Sequence, residues 1–77
     1  MKYFEQKWWG AKLRLANKLK MIQSRRETLG RMYINRRYYE MSLDDYIRKD
    51  GYLNSLYIQA DHIVIYLRNL QRIKFEV

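Results

Sequence analysis

Apolar residues recur along the first half of the chain at Phe4, Trp8, Ala11, Leu15, Leu19, Ile22, Leu29 and Tyr33. Steps of three, four and seven residues mark a helix, and at about 100° per residue these side chains gather on one face. The pattern predicts a helix over residues 3–39, with Arg26 intruding on its apolar face. Such a helix is about 55 Å long at 1.5 Å per residue, and no single partner helix in the chain matches that length. Gly10 and Gly30 each cost roughly 1 kcal/mol relative to alanine in a helix interior. Gly30 is the expected place for a break or a close packing contact.

The second half carries a cleaner pattern. Leu53, Leu56, Ala60, Ile63, Leu67 and Leu70 alternate three and four apart, which is a heptad seam. Tyr57 and Val64 widen it on one flank, and Tyr52, Tyr66 and Ile73 on the other. A helix is predicted over residues 52–72, with a stripe broad enough for a bundle core. The tail from Arg72 to Val77 alternates apolar and charged residues but has no strand to pair with, so it reads as frayed helix or coil.

Between these halves, residues 40–51 read as a connection enclosing a helical turn over residues 43–49. Ser42 and Asp45 resemble a capping box, with Asp in place of the usual Glu. Asp44 and Asp45 complement the positive end of the helix dipole, and Arg48 and Lys49 the negative end. Gly51 is placed as the C-terminal stop.

Two long helices joined by a short capped turn define an all-α helical hairpin in a single domain spanning residues 1–77. In this arrangement Leu53, Leu56, Ile63, Leu67 and Leu70 pack against Trp8, Leu15, Leu19 and Ile22. Apolar surface left over on each hairpin predicts a homodimer forming a four-helix bundle.

Composition sharpens this picture. The 77 residues include no cysteine, no proline and one histidine, His62. Disulfides and thiolate metal sites are excluded, which leaves oligomerisation as the usual support for so small a core. The N-terminus reads as lacking a signal peptide, and the longest apolar run, residues 63–67, is far too short to span a bilayer. A cytosolic location is the default, in the host cytosol if the chain is viral.

Charge is unevenly placed. Residues 1–41 hold eleven Lys and Arg against three acids, whereas residues 42–77 hold five of each, so the net charge of +8 belongs to the first half. Asymmetry of this kind points to an anionic partner. On a continuous helix Lys7, Arg14, Lys18, Arg25 and Arg36 point within about 20° of a common direction, beside the apolar face. The densest stretch adds Arg26, Arg31, Arg37, Tyr33, Tyr38 and Tyr39. Arginine makes bidentate bonds to phosphate and stacks on flat π faces, and tyrosine supplies rigid contact area with a polar tip.

Catalysis has little to work with. No nucleophilic cysteine, phosphate-binding glycine loop or His-x-x-x-His pair is present, and Asp61 and His62, being adjacent, do not face each other on a helix. His62 reads as a polar residue beside the seam with no acid–base role. Asp44 and Asp45 belong to a helix terminus rather than a metal site. No metal or other cofactor is expected. Trp8 lies on the apolar stripe and Trp9 points away, as an interface anchor or a headgroup contact. The second helix needs a protein partner, which disfavours membrane binding.

Two functions fit. One is a non-enzymatic nucleic-acid-binding protein using Lys7, Arg14, Lys18, Arg25, Arg26, Arg31, Arg36 and Arg37, without base-specific motifs. The other is a small regulatory or inhibitory protein, of the kind phages and plasmids encode, that binds a host protein of replication or transcription through Tyr33, Tyr38, Tyr39 and the neighbouring arginines. Tyr and Arg are favoured at both kinds of interface.

Overall fold

The structure is a computed structural model that describes residues 2–36 and 40–76. It contains α1 (Lys2–Arg36), α2 (Leu43–Arg48) and α3 (Gly51–Glu76). The all-α hairpin expected from the apolar periodicity is therefore observed. Arg37, Tyr38 and Tyr39, at the end of the expected first helix, lie outside the described residues. The expected end of the second long helix moves. α3 continues through Glu76, where the alternating tail had suggested fraying.

α1 and α3 run antiparallel. Arg25 meets Asp50 at the loop end of the hairpin, Arg26 meets Tyr57, and Arg14 lies over Tyr66 further along. The molecule measures 56 × 17 × 14 Å. α3, with 26 residues, is about 39 Å long at 1.5 Å per residue. It covers most of α1, and α2 folds back over the remainder, where Tyr46 and Ile47 pack on the cluster containing Leu29. Two partners in sequence thus cover a helix that one could not.

Ala11, Ile22, Leu29, Leu53, Leu56, Ala60 and Leu67 form the buried core. Five expected core positions differ, among them Trp8 and Leu15, both half-buried. Leu19 is 53% exposed, and Ile63 and Leu70 are only half-buried. The cause is the period of the contact. The α1 positions turned toward the other helices are 11, 15, 18, 22, 25, 29 and 32, all buried or half-buried. They alternate four and three apart, matching the heptad seam of α3. Leu19 sits about 60° round from Ile22 and falls outside that seam, whereas Lys18 and Arg25 fall inside it. The apolar stem of Lys18 covers the flank, and Arg25 turns its guanidinium to Asp50. Trp8, expected in the core, is half-buried and stacks on Phe4 with centroids 6.0 Å apart. Trp9 points outward at 65% exposure, and the Lys12 ammonium lies over both indoles.

α1 passes through Gly10 and Gly30 without a break, and a Cβ built at either would meet nothing within 4 Å. The expected interruption at Gly30 is absent. The connection follows its capping signals. Ser42 has an extended backbone (ψ 158°), and its Oγ accepts from the Asp45 N–H at 3.2 Å. Lys49 closes α2 with an N–H to the Asp45 carbonyl. Gly51 is not the stop that the sequence suggests but the first residue of α3. Asp50 sits immediately before it, and its Oδ2 accepts from the Leu53 N–H at 2.9 Å.

Candidate nucleic-acid interface

The densest basic stretch of the chain does not form one surface. Helical geometry divides it. Arg25 turns toward α3, donating from Nε and Nη2 to the two carboxylate oxygens of Asp50 at 2.9 and 2.8 Å. The same guanidinium lies 5.4 Å from the Tyr52 ring. The Arg25 bond holds the Asp50 carboxyl below its ordinary range, aided by the Leu53 N–H and opposed by desolvation. In return, Asp50 raises the Arg25 guanidinium further above its usual value. Arg25 is thus a structural clamp across the loop end of the hairpin.

Tyr33 is also engaged internally. Its hydroxyl donates to the Met41 carbonyl at 2.6 Å, and its ring packs at 5.6 Å against Tyr46. Arg26 leaves on the opposite flank from Arg25 and donates to the Tyr57 hydroxyl at 3.4 Å. Arg31 is exposed on the side of α1 away from α3, and Arg36 is exposed in the last turn. Arg37, Tyr38 and Tyr39 lie outside the described residues.

The coherent basic surface lies elsewhere, on the flank that Arg25 shares. Lys7, Arg14 and Met21 recur every seven residues, as do Lys18 and Arg25. At about 100° per residue all five fall within about 60° of one another. α3 supplies Tyr52, Gln59, Ile63 and Tyr66 to the same flank, as the contacts across the hairpin demonstrate. The Arg14 guanidinium lies over the Tyr66 ring at 5.9 Å. Three acids of the long helices are turned away from this flank. By the same rotation Glu5, Glu27 and Asp61 project to the other flank or the back, and Asp50 is held by Arg25.

At the centre of this flank is a groove of about 560 Å³. Met21 and Ile63 line it with apolar surface, and Arg14, Asn17 and Lys18 border it from α1. Gln59 and His62 border it from α3. Sequence reasoning found its cations but missed Gln59, Tyr66, Tyr52 and His62 as their companions. The tyrosines were legible only as residues widening the α3 stripe, because their register against α1 is a tertiary property.

No helix among the described residues is long and apolar enough to cross a membrane. Fold and surface together define a class, an antiparallel helical hairpin with one cationic, tyrosine-lined flank. No family model, curated protein or solved structure matches the chain.

Proposed function

We propose that this protein is a non-enzymatic nucleic-acid-binding module whose contact surface is the flank carrying Lys7, Arg14 and Lys18. The observation that carries this reading is the segregation of charge: three cations beside the half-buried Tyr66 and exposed amide groups, with Glu5, Glu27 and Asp61 turned elsewhere. Cations set along a straight helix suit a phosphate backbone, where each neutralised phosphate releases counterions. Arg31 and Arg36 add to the attractive field, while Arg25 and Tyr33 maintain the hairpin.

Titration against DNA and RNA at a series of salt concentrations tests the reading. The logarithm of affinity falls linearly with the logarithm of salt, and Arg14→Ala and Lys18→Ala each reduce the slope by roughly one. Absence of binding to any nucleic acid at low salt would overturn it and favour a protein partner.

We also propose that two hairpins associate. Trp9 and Leu13, each 65% exposed, form with Ala16 an apolar stripe on the side of α1 away from the basic flank. Glu5 precedes this stripe and Lys20 follows it. A second copy laid antiparallel pairs Glu5 with Lys20 of the partner subunit at both ends, as an isologous contact requires. The cationic groove stays open in that pairing.

A further inference from the structure

We infer that the groove between α1 and α3 holds one unpaired nucleotide, so that the preferred ligand is single-stranded nucleic acid. This rests on the nucleic-acid reading above and narrows it. A surface that only tracked duplex phosphates would need cations alone. Here Arg14 and Lys18 stand at the edge of a depression whose apolar lining is Met21 and Ile63. A base removed from its stack has two faces to shelter and an edge to satisfy. The Met21 and Ile63 side chains offer the faces an apolar seat. Asn17 and Gln59, each both donor and acceptor, border that seat from opposite helices, Gln59 with one amide N–H given to Ser55 Oγ and its carbonyl left to face a base edge. The adjoining phosphate then falls beside Arg14 and Lys18.

Dimensions argue the same way. The flank is built from two helices, and the molecule is 17 × 14 Å in cross-section, wider than the roughly 12 Å of a B-form major groove. A two-helix face of that width does not seat in the groove to read base edges, so its apolar seat can meet a base only where the base is already out of the duplex. Beside the groove Arg14 lies over the half-buried Tyr66 ring, which holds its guanidinium, itself a planar stacking surface, at the edge of the seat.

The test uses the full chain and fluorescein-labelled oligonucleotides followed by anisotropy. The probes are a single-stranded pyrimidine 12-mer, the same strand with abasic sites at its centre, and a duplex with an equal number of phosphates. The single strand is expected to bind more tightly than the duplex. Abasic replacement is expected to weaken binding about fivefold or more, the scale of a lost base stack. Met21→Ala and Gln59→Ala, at exposed positions, should weaken single-strand binding while leaving the salt slope and the helical circular dichroism unchanged. Arg14→Ala should lower the slope. Equal affinity for single strand, abasic strand and duplex would overturn this inference and leave the nucleic-acid reading standing. No binding of any probe at low salt would overturn both. The three probes decide the matter on the unmodified protein even where a variant fails to fold.

Discussion

Asp50 does two jobs with one carboxylate. It caps α3 through the Leu53 N–H and receives both nitrogens of the Arg25 fork. Asparagine caps a helix about as well as aspartate, so Asp50→Asn separates the roles, whereas Asp50→Ala loses the cap as well, worth about 1 kcal/mol. The carboxyl titrates below its ordinary range in the folded chain. Its contribution is therefore full above the unfolded value near 4 and is lost as pH falls through the folded value. Chemical denaturation of the wild type between pH 6 and pH 3 should show stability falling at the acid end, with a shallower fall in Asp50→Asn. An unchanged acid limb in that variant would remove Asp50 from the account. Tyr33→Phe keeps the ring against Tyr46 and deletes only the bond to the Met41 carbonyl, which should cost about 1 kcal/mol by the same measurement.

For the helices, the question is which side chains the shared seam encloses. Leu53 at 1% exposure and Leu56 and Leu29 at 2% are the most deeply buried leucines, and all three belong to the central cluster with Ile22. Leu56→Ala should cost about 2–5 kcal/mol in urea unfolding. Leu19→Ala should stay within about 0.5 kcal/mol of the wild type, since Leu19 lies outside the seam. Near-equal costs would contradict the register. Gly10 and Gly30 test the continuity of α1. Both sit inside an unbroken helix with open space at the Cβ position. Gly30→Ala should stabilise the chain by roughly 0.5–1 kcal/mol. A loss of stability instead would mean that the helix depends on a glycine there.

Taken whole, the hairpin is a long object with much uncovered surface. Its radius of gyration is 17.1 Å, against about 11.5 Å for a compact domain of this length. Its accessible surface is 6520 Å², against roughly 5,100 Å² for a compact monomer of this mass. A second copy on the Trp9–Leu13 stripe, as proposed above, would cover part of that excess. Sedimentation equilibrium of the wild type is expected to report a dimer. Leu13→Asp, which places an unpaired charge on the stripe, is expected to shift it to monomer with helicity retained. A compact monomer at high wild-type concentration would end the dimer proposal. The fate of nucleic-acid binding in Leu13→Asp is informative too, since the groove lies on another side and should remain competent.

The apolar period of both long helices, the capping serine and the paired charges of α2 were legible in the sequence because each is a local property, fixed by rotation per residue and by bonds within a turn. They determined an all-α hairpin and its turn. The concentration of arginine and tyrosine from Arg25 onward was equally legible, but density along a helix is not density on a surface. Neighbours such as Arg25 and Arg26 leave in directions about 100° apart. Only the packed hairpin decided that Arg25 would clamp Asp50, that Tyr33 would hold Met41, and that Leu19 would face outward. Only it brought Arg14 and Lys18 beside Gln59, His62 and Tyr66. The reason is the register of two antiparallel helices. Residues far apart in the chain, 25 positions for Arg25 and Asp50 and 52 for Arg14 and Tyr66, meet according to where the heptad seams interlock, and no pattern within either helix contains that alignment.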